Sequence, residues 1–320
     1  MSLNGLPFET HIVELETKIH ELKALAESHL IDLSAEIQTL TQKLESTKKE
    51  TYENLSAWQI TQVARHHNRP FTLDYIERLF DEFVELHGGR QFPDDNAIIG
   101  GMAKFRGRHV MVLGHQKGRD TNEKIARNFG MPHPEGYRKA LRLMQMADKF
   151  NKPIITFVDT PGAYPGVEAE ERGQAEAIAR NIFEMSNLHV PIVVIVIGEG
   201  GSGGAVALAV GDRVLMLQNS IYSVISPEGC ASILWRDAAK AEEAAKALKL
   251  TSQDLHNLGV IDEIIPEPVG GAHRDWEITA DKVGEAIERH LKELDGVSVE
   301  ERYELRQQKY RKIGVYKGDE

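Results

Sequence analysis

Six of the fourteen residues in Gly198–Gly211 (GEGGSGGAVALAVG) are glycine. Glycine at this density lets a backbone approach a ligand or a second backbone closely, and it leaves amide N–H groups uncovered. The apolar run Ile192–Ile197 before the segment reads as a strand, and the alanines at 205, 207 and 209 read as the helix after it. Uncovered N–H groups at such a strand-to-helix turn point outward with the positive end of the helix dipole behind them. The chemistry this suits is stabilisation of a developing oxyanion. A tight turn packed against a neighbouring element is the plainer outcome of the same residues.

Three sharper motifs overlap there. Gly198-x-Gly200-x-x-Gly203 matches the dinucleotide fingerprint, but the helix to follow is only about ten residues, and the next strand ends in Leu217-Gln218-Asn219 where a ribose-binding acid is needed. A P-loop is excluded, because Gly203-Gly204-Ala205 carries no Lys-Ser/Thr pair. Gly200-Gly201-Ser202-Gly203-Gly204 matches the G-x-S-x-G nucleophile elbow, which makes a serine hydrolase using Ser202 the competing function. Its triad would draw on Asp212, Asp237 or Asp262 and on His256 or His273.

A second loop, Asp159-Thr160-Pro161-Gly162-Ala163-Tyr164-Pro165-Gly166, also follows a buried strand and precedes a helix. Two prolines stiffen it and two glycines open unusual backbone conformations. Two rigid loops at neighbouring strand ends make a wall of amides with no evident general acid or base. Glu168, Glu170 and Glu171 read as helix N-terminal charges, as does Glu228. The basic strip Lys117, Arg119, Lys124 and Arg127 suits phosphates, or equally a solvated helical face. His115 reads as a packing histidine and Cys230 as a buried small residue.

The elements that must hold these loops follow from periodicity. Ile12, Leu15, Ile19, Leu22 and Ala26, then Leu33, Ile37, Leu40 and Leu44, form two amphipathic stripes broken near His29–Asp32. A helix is expected over Leu73–Leu86, and strands over Ile98–Phe105 and His109–Gly114 joined by the hairpin Arg106-Gly107-Arg108. Further helices are expected over Gly136–Phe150, Glu171–Leu188, Ala238–Leu248, Ser252–Leu258 and Trp276–Leu294. Further strands are expected over Ile154–Val158, Arg213–Leu217, Ile221–Ile225 and Val260–Ile265. Uniformly apolar strands alternating with helices predict an α/β fold whose sheet is covered on both faces. The charged segment after the last helix is expected to fray.

Composition narrows the functional class. Of 320 residues, 41% are apolar, and 38 basic against 49 acidic residues give a net charge of −11, which argues against a general nucleic-acid surface. One cysteine rules out an internal disulfide framework and a cysteine-rich zinc site within this chain. No apolar stretch is long enough for a membrane span, and no signal-like N-terminal segment is evident, so a cytoplasmic protein is expected.

The strings Ile155–Gly166, Glu170-Glu171-Arg172-Gly173-Gln174, Gly198–Ala205 and Tyr222–Trp235 stand in an order that resembles the alpha subunits of bacterial acetyl-coenzyme A carboxylase carboxyltransferases. Gly114–Arg119, Asn128–Pro132 and Pro266–Arg274 extend the resemblance, which covers roughly residues 55–274. It implies a crotonase-like fold, a superhelix of ββα units, over residues 55–296. A helical arm for subunit docking (1–54) and a charged C-terminal tail (297–320) would flank it. The implied reaction is transfer of a carboxyl group from carboxybiotin to acetyl-CoA, giving malonyl-CoA for fatty-acid synthesis, by a chain that carries no covalent cofactor of its own. The implied partners are a zinc-bearing beta subunit in an α2β2 assembly, a biotin carboxyl carrier protein that presents carboxybiotin, and an ATP-using biotin carboxylase. By position in the family motif, the amides of Gly203, Gly204 and Ala205 form the biotin oxyanion hole. Gly162, Ala163, Tyr164, Gly200, Gly201, Lys117 and Arg119 become the candidate substrate-binding residues, and Ser202 becomes a turn residue. A non-catalytic scaffold of the same fold is the remaining alternative.

Overall fold

The computed structural model describes residues 5–29 and 31–314. The chain opens with two helices, α1 (Thr10–His29) and α2 (Ser34–Glu53), followed by α3 (Ala57–Ala64), which starts at a reciprocal Ser56/Gln59 capping box. Next come α4 (Thr72–Leu79), β1 (Phe80–Glu85), β2 (Ile98–Phe105), β3 (Arg108–His115), α5 (Thr121–Ala126), α6 (Pro134–Lys149), β4 (Ile154–Thr160), α7 (Val167–Glu171), α8 (Gln174–Asn187) and β5 (Ile192–Gly201). The remainder is α9 (Ser202–Val206), β6 (Arg213–Leu217), β7 (Ile221–Ser223), α10 (Pro227–Trp235), α11 (Ala241–Leu248), α12 (Ser252–Asn257), β8 (Glu263–Ile265), α13 (Trp276–Asp295) and α14 (Val299–Lys312).

One eight-stranded sheet organises these elements in the order β1-β2-β3-β4-β5-β6-β8, with β7 added to the end of β5. The first three strands are antiparallel; from β3 onward all pairings are parallel. The strands are apolar without alternation because both faces are covered. One face packs Met111, Leu113, Ile154 and Val194 against Tyr137, Leu143 and Met144 of α6 and Met185 of α8. The other packs Val112, Ile155, Phe157 and Ile195 against Tyr75 and Ile76 of α4 and Val283, Ile287 and Leu291 of α13. The expected β2–β3 hairpin followed by α6 is one ββα unit.

The arm is an antiparallel helix pair whose base lies on the body. Ile12, Ile19, Leu44 and Tyr52 cluster with Val63 of α3. Arg274 binds Glu9 and Glu16, each at 3.0 Å, and the Tyr52 hydroxyl donates to Glu9 at 2.9 Å. The expected break between the helices includes Leu30, which lies outside the described residues, as do residues 1–4 of the arm and 315–320 of the tail.

Four expectations change. The predicted helix 73–86 is α4 followed by β1, because Phe80, Val84 and Glu85 pair with β2 through a bulge at Glu82 (φ +53°). Gly173, at φ +85°, splits the predicted helix 171–188 into α7 and α8. The strand expected over Ile221–Ile225 stops at Ser223. The tail expected to fray holds α14, docked through Arg302 and Arg306, 6% and 1% exposed. Among the described residues no helix is long and apolar enough to cross a membrane.

Two buried histidines, His115 and His66, and the half-buried His273 make stability depend on pH. Burial is the main cause holding His115 near a pKa of about 3, and Lys117 adds to it. The His66 and His273 rings stack at 3.9 Å. Burial, then the neighbouring histidines, Arg69 and Arg274, lower His66 to about 4 and His273 to about 2, against a partly opposing Glu9 at His66. These groups stay neutral when folded, so their contribution is complete above the unfolded histidine pKa and falls away as pH drops below it. The melting temperature is expected to hold between pH 8 and 7 and to fall by about 5 °C or more by pH 5. A flat calorimetric profile over that range would contradict the assignment.

Candidate active site

The C-terminal ends of β3, β4 and β5 lie side by side, and the two loops leave the last two of them. β5 runs further than the sequence suggests: Gly200 still pairs with Thr160 and Tyr222, so the glycine segment starts as strand. A Cβ on Gly201 would come within 2.2 Å of the Pro161 carbonyl oxygen, so only glycine lets the loops touch. Ser202 then turns the chain in the left-handed region (φ +51°) into α9, five residues long instead of about ten.

That turn leaves donors open. The first N–H groups of a helix have no intrahelical acceptor. Among the described residues no other group takes the Gly203 or Gly204 N–H. Gly204 is buried, and a Cβ there would lie 2.6 Å from both the Ala163 nitrogen and the Gly162 carbonyl carbon. The second loop is locked in turn. The Gly162 N–H donates to Thr160 Oγ1 at 3.1 Å, while the Thr160 hydroxyl donates to the Gly162 carbonyl at 2.7 Å. Gly162 therefore lines the wall but its own amide is engaged, whereas the Ala163 N–H is unclaimed among the described residues. Tyr164 is fixed by its N–H to Pro132 (3.0 Å) and by stacking on His133 (4.1 Å between ring centroids). Ala205 is fully buried one residue further along α9.

A chain of buried and half-buried charges ties the strand ends together. Lys117, just past β3, binds Asp159 of β4 at 2.7 Å and Glu199 of β5 at 3.1 Å. Arg65, at the end of α3, donates through Nε to Glu199 at 2.6 Å and through its terminal nitrogens to Glu228 of α10. The Glu199 N–H donates to Asp159 Oδ1 at 2.9 Å. Burial alone would raise the Glu199 pKa, but Lys117 and Arg65 outweigh it and hold the carboxylate below its ordinary range. Arg65, Glu199 and Asp159 are site residues that sequence reasoning missed, and Glu228 is more than a helix-end charge.

The basic strip does not act as one surface. Lys117 is consumed by its two carboxylates. The Arg119 guanidinium sits over Phe71 and Trp276, 4.3 and 4.6 Å from the ring centroids, and binds Asp74 and the carbonyls of His67 and Arg69. The phosphate-binding expectation for both residues finds their charges already satisfied within the chain. Arg127 donates to the Asn96 carbonyl; Lys117 and Lys124 both line a cavity of about 220 Å³ with Arg65, Phe71, Phe129 and Glu199, and among the described residues no acid binds Lys124.

The nucleophile-elbow reading fails on geometry. Among the described residues no histidine bonds to Ser202. Asp212 pairs with Arg306, Asp262 with Lys309, Asp237 caps a short 3-10 turn, His273 stacks on His66, and His256 is exposed on α12. A fluorophosphonate probe is therefore expected to leave the chain unlabelled by gel fluorescence; stoichiometric labelling at Ser202 would reverse this. His115 and Cys230 are buried, as the sequence suggests. His115 accepts the Asp159 N–H at a long 3.4 Å. No group of three or more His, Cys, Asp or Glu among the described residues is placed to hold a metal.

Known proteins share this chain's sequence and its fold. A family described as acetyl co-enzyme A carboxylase carboxyltransferase-like matches residues 5–314. The chain is 63% identical over 311 residues to the acetyl-coenzyme A carboxylase carboxyl transferase subunit alpha of Geobacter metallireducens, covering 97% of this chain and 98% of that one. It is 58% identical to the subunit of the same name from Methylococcus capsulatus, covering 99% and 98%. Among solved structures, a transcarboxylase 12S aligns at a TM-score of 0.57 with 21% identity, over 72% of this chain and 44% of that one. A Pseudomonas malonate decarboxylase hetero-tetramer in complex with coenzyme A aligns at 0.59 with 16% identity, over 75% and 95%. The likeness bears out the expected crotonase-like α/β fold.

Proposed function

The chain belongs to the acetyl-CoA carboxylase carboxyltransferase family as an alpha subunit, and on that footing we propose that its two loops serve the transfer of a carboxyl group from carboxybiotin to acetyl-CoA, giving malonyl-CoA. The observation that carries the mechanism is the pair of unclaimed N–H groups at Gly203 and Gly204, set against the unclaimed Ala163 N–H of the touching loop. Fixed donors of this kind stabilise negative charge where it develops and need no titratable side chain. Carboxybiotin, a substrate brought by a carrier protein, supplies the carboxyl group and the basic ureido that remains. The chain's part is to bind that ureido oxygen through Gly203 and Gly204, to keep the donors aimed, and to wall the cleft with Pro161, Gly162 and Ala163. Ala205 supports the turn from within the core.

The partners follow from the same reading. A beta subunit, the bearer of the zinc, faces the cleft and builds the acetyl-CoA side, in an α2β2 assembly. A biotin carboxyl carrier protein reaches the cleft after loading by an ATP-using biotin carboxylase. The arm, docked to the body only at its base, offers Leu25 and Ile31, 43% and 51% exposed, to another subunit. Residues 55–296 form the catalytic unit.

The test is co-purification with the beta partner, followed by assay of malonyl-CoA formation from acetyl-CoA and a carboxylated biotin analogue. Turnover by the complex and by neither chain alone is expected; a complex that assembles but does not turn over would contradict the reading. Ser202→Ala is expected to retain at least about a tenth of the wild-type rate, since no bond from the serine hydroxyl enters the mechanism. Loss of the rate in a folded variant would count against the amide mechanism.

A further inference from the structure

The charge chain runs from a buried end at Asp159 to a half-buried end at Glu228. Its members come from five separate elements: Lys117 after β3, Asp159 on β4, Glu199 on β5, Arg65 after α3 and Glu228 on α10. The Asp159 side chain is 4% exposed, Glu199 10% and Lys117 16%. Replacing a buried ion pair by apolar residues is often neutral or stabilising, so retention for stability alone is a weak explanation. What the chain does hold is register. Asp159 lies one residue before Thr160, whose hydroxyl locks Gly162, and Glu199 lies two residues before Gly201, where β5 ends ahead of the open amides. The Glu199 N–H to Asp159 bond joins the two strand ends directly. A Cβ on Gly198 would fall 2.4 Å from Asp159 Oδ1, so this carboxylate fills the space beside the β5 backbone.

We infer that Lys117 and Arg65 are positioning residues for carboxyl transfer: through Asp159 and Glu199 they fix the spacing between the two loops, and so the aim of the Gly203 and Gly204 amides, without touching substrate. The inference deepens the functional reading above and rests on it. Oxyanion donors must be held within about 0.5 Å of their productive position, and a displacement near 1 Å can cost on the order of a hundredfold in rate. Lys117 is the member that bridges both strands, so its charge has the larger effect. Arg65 carries the chain on to α10, whose exposed side bears Ile233 and Leu234, 72% and 63% exposed.

Lys117→Met, assayed in the assembled complex, is expected to lower kcat by about tenfold or more while KM for acetyl-CoA and for the biotin analogue stays within about twofold. Lys117→Arg, which keeps a cation in reach of both carboxylates, is expected to recover part of the loss. Hydrogen exchange gives a readout independent of turnover: amides of a peptide spanning 198–206 are expected to exchange about tenfold faster in Lys117→Met, with exchange over α6 and α13 unchanged. Glu199→Gln, similar in size and without the charge, is expected to reproduce both effects and stands in if Lys117→Met does not fold. Unchanged kcat together with unchanged exchange would overturn the inference. So would a tenfold rise in KM for one substrate at constant kcat, which would make Lys117 a direct substrate contact. An inactive wild-type complex would overturn the carboxyltransferase reading, while the exchange measurement would still decide whether Lys117 holds the loops.

Discussion

Replacing Gly204 by valine is expected to abolish carboxyl transfer, by about two to three orders of magnitude, in a chain that still folds and still assembles with its partner. The reason is steric and local. Even the first carbon of the new side chain would sit 2.6 Å from the Ala163 nitrogen and the Gly162 carbonyl carbon, distances that real Cβ contacts do not reach, and both obstacles are backbone. The loops must separate, so the Gly203 and Gly204 N–H groups lose their aim together. Loss of one oxyanion donor costs about 2.7–4 kcal/mol of barrier. The sheet face covered by α4 and α13 and the arm's anchor at Arg274 lie elsewhere, so gel filtration should show an intact complex. Gly204→Ala meets the same obstacle at the same atom and is expected to fail as well. A rate within tenfold of wild type in either folded variant would mean that the amides are not where charge develops.

The second large effect is on stability. Arg306 is 1% exposed and donates to both oxygens of Asp212 at 2.8 Å, and to the carbonyls of Met185, Leu188 and Val190 at 2.7–3.0 Å. Arg306→Met removes every one of these donors and leaves a buried carboxylate and three carbonyls without them. Breaking a buried pair from one side costs about 3–5 kcal/mol. The melting temperature is expected to fall by roughly 5–10 °C, with limited proteolysis cutting within α14 before the rest of the chain. Removing the stranded charge as well, in Arg306→Met with Asp212→Leu, should return part of the loss. A melting temperature unchanged in the single variant would mean that α14 contributes nothing to the fold.

Much of the scaffold is legible in the amino-acid order because single-element patterns specify it. The β2–β3 hairpin announces itself by two apolar runs around Arg106-Gly107-Arg108, and α6 by Ala140, Leu143, Met144 and Ala147 on one face. The glycine spacing locates the loops, and the family motif assigns their roles. The errors arise where a partner decides. Leu73, Ile76, Leu79, Phe80 and Phe83 carry helical spacing, yet residues 80–85 go to the sheet edge because β2 presents Gly101, where a Cβ would lie 2.0 Å from the Val84 carbonyl. The tail looked solvated because Arg302 and Arg306 are counted as surface charges until Asp212 and the carbonyls around residue 188 are brought to them.

The ionic part of the site was illegible for the same reason. Lys117 finds Asp159 and Glu199 at separations of 42 and 82 residues, and Arg65 finds Glu228 at 163. No local spacing rule relates such pairs; only the side-by-side strand ends do. Arg119 shows the converse, a charge two positions from Lys117 that the fold turns toward Phe71 and Trp276 instead.

The path of the sheet carries a consequence for biosynthesis. Apart from β7, its strands are laid down in the order in which they neighbour one another, β1 to β6 and then β8. Each new strand emerging from the ribosome therefore meets the free edge it will occupy, with no gap waiting for a later segment. Growth by nearest neighbours limits how long any unpaired edge is offered to other nascent chains, and the final edge, β8, is only three residues long.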